Sequence, residues 1–336
     1  MTARVLTVIL NYRTAEMTLR SVEAARTAMR DIDGEIIVVD NDSQDGSFAK
    51  MSAHAQAQGW TKDNAVRVVE AGQNGGFGAG NNFGIRAGLS DGSAPDYVYV
   101  LNSDAFPAPD AISALLTYLR DHPEVGFAGS YTHGEDGAPH LTTFRFPTVA
   151  SEFEGAIRFG PVSRLLANKR VPIEIPESTQ SVEWLAGASM LLRCKTLDEI
   201  GLFDERFFLY FEETDLCLRA QRAGWGITYV RESQVTHIGS VSTGMSKWQR
   251  TPDYWYNSRL YYFTKNHGLV VAALATLAHV FGGMLHRVRQ GVQGRKPVDP
   301  PHFLRMLLCH DFKAMFKRRR APKVPQLNAS SLPVSE

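Results

Sequence analysis

Val98-Tyr99-Val100-Leu101-Asn102-Ser103-Asp104-Ala105 is a short apolar run that ends abruptly on an amide, a hydroxyl and a carboxylate. Four β-branched, aromatic and aliphatic residues in a row, closed by polar ones, predict a buried strand with its polar triplet at the carboxyl end. The same construction recurs upstream. Runs at Arg4 to Leu10, Glu35 to Asp40 and Val66 to Glu70 are followed by helical patterns at Ala15 to Arg30, Ser47 to Gln58 and Asn81 to Leu89, and Tyr97 to Leu101 is followed by Asp110 to Asp121. Alternation of this kind predicts an α/β chain built from βαβ units on a mostly parallel sheet. In such open sheets ligands bind beyond the carboxyl ends of the strands, where Asn11, Asp40 and Asn102 to Asp104 fall.

The 336 residues, 44% apolar and 21% charged, suffice for one large domain and an appendage. Met1-Thr2-Ala3-Arg4 leads straight into a strand pattern, without the features of a signal peptide. Three cysteines, Cys194, Cys217 and Cys309, are odd in number and widely spaced, which favours neither a disulfide framework nor a zinc cluster. A cytoplasmic protein is expected. Net charge is +1, yet His286 to Arg320 holds ten Lys/Arg against two Asp, leaving 26 against 33 elsewhere. A basic tail on an acidic body predicts an anionic membrane surface or polyanion beside the tail alone, or a solvated basic helix; no nucleic-acid partner is expected.

From Ser130 to Ser181 the pattern dissolves into Gly, Pro and mixed polar residues and reads as a variable loop region, to which acceptor choice is assigned. Order returns at Val182 to Arg193, a helix is expected from Glu213 to Ala223 before Gly224, and a strand from Gly226 to Val230. Beyond Thr251 the chain reads as helical. Gly268 to Leu285 contains no Asp, Glu, Lys or Arg, a length at the lower limit for a bilayer span, so that a packed helix, an interfacial helix and a span all stand. The expected division is 1–250 as the catalytic domain, with halves 1–129 and 130–250, then a basic helical extension 251–321 and a disordered tail 322–336.

Five segments carry the chemistry. Asp40, at the end of Val38-Val39-Asp40, is placed to select a nucleotide, while Asp42, Ser43 and Asp45 serve equally as a turn and helix cap. Asn74-Gly75-Gly76-Phe77-Gly78-Ala79-Gly80-Asn81-Asn82 is a glycine-rich loop ahead of a helix, suited to a diphosphate or simply a turn with Asn81 as cap; it matches neither a dinucleotide fingerprint nor a P-loop. Asp104, in the Asn102-Ser103-Asp104 turn, is a carboxylate of the kind that holds Mg²⁺ or Mn²⁺ together with substrate phosphate, or caps the next helix. Phe211-Glu212-Glu213-Thr214-Asp215 sets three acids at a helix start, favoured there by the dipole, and two of them lie against an aromatic run that fits a general base; Asp215 pairs one turn on with Arg219. His237 is either structural or a ligand beside Asp104.

Taken in order, these segments resemble the family 2 glycosyltransferases, and among them the rhamnosyltransferase-like members of bacterial surface polysaccharide synthesis. The resemblance covers Val5 to Gly268 and is most specific at Trp184-Leu185-Ala186-Gly187-Ala188 and from Phe203-Asp204-Glu205-Arg206-Phe207-Phe208 to Gly224-Trp225. It implies a GT-A fold, a nucleotide-diphospho-sugar donor linked to dTDP or UDP, with dTDP-rhamnose preferred, a divalent cation, and a glycan or lipid-linked acceptor at the cytoplasmic face of the inner membrane. It further implies that Asn11, Asp40, Asn74, Gly75, Gly76, Asn81, Asn102 and Ser103 bind the donor, that Asp104 and His237 hold the metal, and that Trp184 meets the acceptor. Glu213 would be the base, with Glu212 next to it as the substitute. Asn102 stands where the metal motif has its first acid, and Glu213 where the base is often Asp. The implied reaction is a single in-line, inverting displacement. Two other readings share the α/β pattern: an inactive glycan-binding or assembly protein, and a sugar-nucleotide pyrophosphorylase, for which Asn11-Tyr12-Arg13-Thr14 is a poor phosphate loop.

Overall fold

The computed structural model describes residues 3–62, 65–239, 250–295 and 299–315. The expected tail 322–336 and the end of the basic run lie outside these residues. The chain runs β1 (Val5–Asn11), α1 (Ala15–Ala28), β2 (Gly34–Asp40), α2 (Ser47–Ala57), β3 (Val66–Glu70), α3 (Phe77–Ala87), β4 (Tyr97–Asn102), β5 (Ala105–Pro107) and α4 (Ala111–Asp121). It continues through β6 (Val125–His133), β7 (Thr143–Phe144), α5 (Val149–Ile157), α6 (Gly160–Leu165), β8 (Gln180–Ser181), β9 (Trp184–Leu185), β10 (Ser189–Arg193) and α7 (Cys194–Ile200). The last elements are α8 (Glu212–Arg222), β11 (Gly226–His237), α9 (Asp253–Val292) and α10 (Phe303–Met315).

The main sheet has the order β3-β2-β1-β4-β10-β6-β11-β5, with β8 added to β11. β1, β2, β3 and β4 pair in parallel, as do β6 and β11, while β10 and β5 run antiparallel. This is the GT-A-like arrangement, a mostly parallel mixed sheet with a helical C-terminal region. Buried aliphatic residues of β1, β2 and β4 point alternately to the two faces, one covered by α1, α2 and α4, the other by α3, α7 and α8. Helix α3 lies unusually close to the sheet: a Cβ on Gly80 would stand 2.4 Å from Leu10 and one on Gly84 2.7 Å from Val8. Gly80, in the run expected to be a phosphate loop, therefore serves helix–sheet packing, as does Gly84 just beyond it, and the helix begins at Phe77 rather than Asn81.

The stretch 130–181 is not a loop region. It completes β6 and forms α5 and α6; Thr148 caps α5 reciprocally with Ser151, a Thr/Ser version of the capping box that the expected Glu/Gln signature does not reveal. β11 also extends seven residues beyond the expected Val230, bending through a register shift between Val230 and Gln234.

Helix α9 breaks at Gly268, whose φ of 85° and ψ of 165° interrupt the helical path. Before the break it is clasped to α8. Lys265 donates to Asp204 and Asp215, each at 2.8 Å, Asn266 donates to Asp215 at 2.9 Å, and Arg219 pairs with Asp215 at 2.8 Å. Deeper in, Arg259, 1% exposed, binds Glu152 of α5 at 2.8 Å and Asp311 of α10 at 3.1 Å, and Arg259 and Asp311 both also engage Thr276. Arg259 and His279 hold the buried Glu152 carboxyl down at about 2 despite its desolvation. Leaving one member of such a buried set unpaired costs about 3–5 kcal/mol, so α5, α9 and α10 are fixed as one unit.

Past Gly268, α9 has two characters. Ala272, Ala275, Thr276, Gly282, Gly283, His286 and Gln290 are buried against the protein, whereas Val270, Leu274, Leu277, Phe281, Met284, Val288 and Val292 are exposed. α9 is long and apolar enough to cross a membrane by length and composition, with a mean hydropathy of 1.9 in its most apolar window. One stripe of this stretch therefore packs on the protein, while the other is a bare apolar face.

Candidate active site

β1 and β2 end side by side, Asn11 opposite Asp40, and their side chains knot together. Asn11 Nδ2 donates to Asp40 Oδ1 at 2.6 Å, Ser43 donates to the same carboxylate through its amide at 3.0 Å and its hydroxyl at 2.6 Å, and Thr18 donates to Asn11 Oδ1 at 2.7 Å. Asn11 and Asp40 are buried, and so is the next residue, Asn41, which donates to Asn74 Oδ1 at 3.0 Å. Asp45 accepts from the Ser47 amide at 3.0 Å, so it shapes the turn into α2.

Asn74 also accepts from the Gly76 amide at 3.0 Å. Gly76 has φ 90°, and a Cβ there would lie 1.8 Å from the Phe208 carbonyl oxygen, which accepts from the Phe77 amide at 2.9 Å. Only glycine allows this crossing, which ties the 74–77 turn to the aromatic segment before α8. That segment holds two consecutive non-glycine residues in the left-handed region, Tyr210 at φ 69° and Phe211 at φ 70°. The reversal sends Phe211 back onto Tyr262 and Trp255, with ring centroids 5.4 and 6.5 Å away, and leaves Tyr210 facing the cavity. α8 then starts at Glu212, so its two glutamates sit at the helix N-terminus.

His237 and Asp104 come together through sheet register. β11 pairs His237 with Ala105, and the Ile238 amide donates to the Asp104 carbonyl at 3.0 Å. His237 Nε2 stands 3.2 Å from Asp104 Oδ1 and 3.5 Å from Asn102 Nδ2. This donor pair fits a divalent cation. Two ligands sharing an edge of an octahedron with bonds of about 2.1 Å lie about 3 Å apart, and Mg²⁺-type sites commonly leave their other positions to substrate phosphate and water. Among the described residues no group of three or more His, Cys, Asp or Glu is assembled for a metal.

One cavity of about 390 Å³ unites these parts. Its polar floor is Asn41, Asn74, Asn102, Ser103, Asp104 and His237; Glu212, Glu213, Gly187 and Ala188 form one side, and Phe77, Phe208, Leu209, Tyr210 and Tyr254 another. Glu213 Oε1 is 3.4 Å from the Gly187 amide, and the buried Oε2 atoms of both glutamates have no hydrogen-bond partner among the described residues. Burial, and then the charge of Glu213, push the Glu212 carboxyl well above the ordinary range; burial raises Glu213 as well. Of the two neighbouring carboxyls, Glu212 is raised further.

Of the residues expected at the site, Asn74, Gly76, Asn102, Ser103, Asp104, Glu212, Glu213 and His237 line the cavity. Asn11 and Asp40 lie beneath it. Asn81 is inside α3, bonded back to the Phe77 carbonyl at 2.9 Å; Trp184 stacks on Phe144 at 4.2 Å, with its indole N–H on the Arg145 carbonyl; Asp215 is in the clasp to α9. Gly75 is not part of the wall. Sequence reasoning missed Tyr12, Asn41, Tyr210 and Tyr254. Asn41 could have been found from its place next to Asp40 at a strand end, whereas no local signal marks Tyr254. None of the wall comes from 130–181, the stretch to which acceptor choice was assigned.

The family model for glycosyl transferase family 2 matches residues 6–176, and that for glycosyl transferase family group 2 matches 97–309. The chain belongs to glycosyltransferase family 2. It is 31% identical over 219 residues to N-acetylglucosaminyl-diphospho-decaprenol L-rhamnosyltransferase of Mycobacterium tuberculosis, covering 62% of this chain and 68% of that protein. It is 30% identical over 168 residues to rhamnosyltransferase WbbL of Escherichia coli, covering 48% and 60%. Among solved structures, mannosyltransferase PcManGT from Pyrobaculum calidifontis, in complex with GDP-Man and Mn²⁺, superposes with a TM-score of 0.56 at 16% identity, covering 95% of this chain and 82% of that one. As a family 2 glycosyltransferase, the chain is an enzyme; an inactive assembly protein or a pyrophosphorylase is not favoured.

Proposed function

We propose that this family 2 glycosyltransferase moves rhamnose from dTDP-rhamnose to a hydroxyl of a lipid-linked, N-acetylglucosamine-bearing acceptor, with inversion. The observation that carries the reading is that Asp104 with His237 and Glu213 with Glu212 face a single cavity. Sequence likeness to two rhamnosyltransferases supports the sugar, and the name of one supports the acceptor.

In this reading Asn41, Asn74 and Tyr12 receive the nucleotide, while Asp40 and Asn11 hold the strand ends that present them. Asp104 and His237 hold Mg²⁺ or Mn²⁺, which when bound offsets the charge of the departing diphosphate. Glu213, as carboxylate, takes the acceptor hydroxyl proton as that oxygen attacks the anomeric carbon from the face opposite the leaving group. Burial and the adjacent charge raise the Glu212 carboxyl the further of the two, which favours the negative charge residing on Glu213.

The test is enzyme-dependent release of dTDP from dTDP-rhamnose. We expect release with Mn²⁺, suppression by EDTA, and acceleration by N-acetylglucosaminyl diphosphate on a short prenyl chain. Faster turnover of a UDP-sugar would sink the rhamnose assignment, and no turnover of either donor would sink the reading of the site.

We further propose that the bare face of α9 rests on an anionic membrane, at the cytoplasmic side. Its exposed apolar stripe is accompanied by exposed Arg295, Arg305 and Lys313, while the two acids described beyond Gly268 are engaged, Asp299 with Arg158 and Asp311 with Arg259. Apolar insertion and cation attraction add at such a surface. Substituting Leu277, Phe281 and Met284 together by Asp is expected to weaken sedimentation with phosphatidylglycerol vesicles by at least about tenfold. Unchanged sedimentation would refute the assignment.

A further inference from the structure

Part of the cavity wall is aromatic and belongs neither to the Asp104–His237 pair nor to the two glutamates. Tyr254, in the first turn of α9, stands with its ring 5.5 Å from Phe208 and 6.3 Å from Tyr210, the latter pair inclined by only 29°. Both tyrosines line the same cavity as Glu213. Their segment is pinned at several points. Ser258, one turn beyond Tyr254, donates to the Leu209 carbonyl at 3.0 Å, and Phe77 donates to the Phe208 carbonyl at 2.9 Å.

Aromatic faces fixed in this way suit a pyranose ring. A sugar has an apolar face of C–H bonds that packs on a π-surface, while its hydroxyls point sideways to polar groups. The donor's charged diphosphate belongs at the polar floor, near Asp104 and His237. The group that must lie beside Glu213, with one hydroxyl toward that carboxylate, is the acceptor.

We propose that Tyr254 and Tyr210 form the platform on which the acceptor sugar stacks, so that the helical extension supplies part of the acceptor site and takes part in acceptor choice. This rests on the transferase reading given above. The ligand class is a hexopyranose with an unobstructed C–H face, such as a β-linked or α-linked N-acetylhexosamine unit. The platform residues bind and orient; neither exchanges a proton with the reactants.

The experiment compares the full-length wild type with Tyr254→Phe, Tyr254→Ala and Tyr210→Ala, using dTDP-rhamnose and N-acetylglucosaminyl diphosphate on a short prenyl chain. The alanine variants are expected to raise the acceptor KM about tenfold with donor KM and acceptor-free dTDP release unchanged, while Tyr254→Phe, which keeps the ring face, stays within about twofold of wild type. Saturation-transfer NMR should show acceptor ring protons receiving magnetisation from the wild type and Tyr254→Phe, and much less from Tyr254→Ala. Thermal melts separate lost stacking from lost folding: a variant that melts early is replaced by Tyr254→Leu, which fills similar volume without a π-face and is expected to behave as Tyr254→Ala. An unchanged acceptor KM in the alanine or leucine variants, a rise in donor KM instead, or the absence of saturation transfer to the acceptor in an enzyme that turns over its donor would each overturn the platform. Absence of donor turnover in the wild type would overturn the function reading instead.

Discussion

Glu213→Gln is expected to slow transfer by roughly 10²–10⁴-fold, the usual range for a lost general base, with donor affinity little changed. The amide keeps the shape and the contact to the Gly187 amide but cannot accept the acceptor's proton. The pH profile carries an independent signature. Burial raises the Glu213 carboxyl above its ordinary 4.5. Activity needs the deprotonated form, so the wild-type rate should climb with pH over a range shifted above 4.5 and then level, and that rise should be missing from the residual activity of Glu213→Gln. An unaltered rate, or an unaltered acid limb, would remove Glu213 from the mechanism. The same burial has a thermodynamic sign. A carboxyl whose pKa is raised on folding binds more protons in the native state, so its own contribution to stability is most favourable below pH 4.5 and falls as pH rises through the raised value. Glu212, pushed furthest by burial and the adjacent charge, should therefore cost stability at neutral pH. Glu212→Gln is expected to lift the melting midpoint by roughly 2–4 °C at pH 7.5 while impairing transfer.

The second large effect is expected at Asp104. Replacing it by Ala removes the carboxylate that stands 3.2 Å from His237 Nε2, leaving the His237 imidazole and the Asn102 amide. A hard divalent cation prefers anionic oxygen, so Mn²⁺ binding in the presence of dTDP should weaken by at least about tenfold, read by electron paramagnetic resonance without reference to turnover. Transfer should fall by about 10²-fold or more at fixed Mn²⁺ and recover in part as Mn²⁺ is raised. An unchanged Mn²⁺ affinity would mean that the cation is held elsewhere.

The first half of the fold was legible because its strands are nearly pure runs of β-formers closed by polar residues; Val66–Glu70 came out to the residue, and β1, β2 and β4 within one residue at either end. Glycine misled in one respect. In α3 it permits close packing on β1 and β2, a use that leaves the same sequence mark as a phosphate loop. The stretch 130–181 was opaque because its helix α5 is short and buries Glu154 and Ser151 along with Ala156 and Ile157, blurring the apolar stripe. The polar half of the site was visible as strand-end residues, since a parallel sheet sends them all to one edge. The aromatic half was not, because Tyr254 reaches the cavity only through the packing of α9 on α8, a contact between residues some forty positions apart that no local pattern encodes.

The buried Arg259 also bears on where this chain can be shortened. Ending the chain at residue 250 would strip Lys265 from Asp204 and Asp215, and ending it at Gly268 would strip Arg259 of Asp311 and Thr276. Either cut strands charge in the interior, so shortened chains should lose stability, whereas polar substitutions on the outer face of α9 leave these ion pairs intact. By the same logic, single substitutions on the exposed face of α9 can alter that surface without disturbing the buried ion pairs that fix the helix carrying Tyr254.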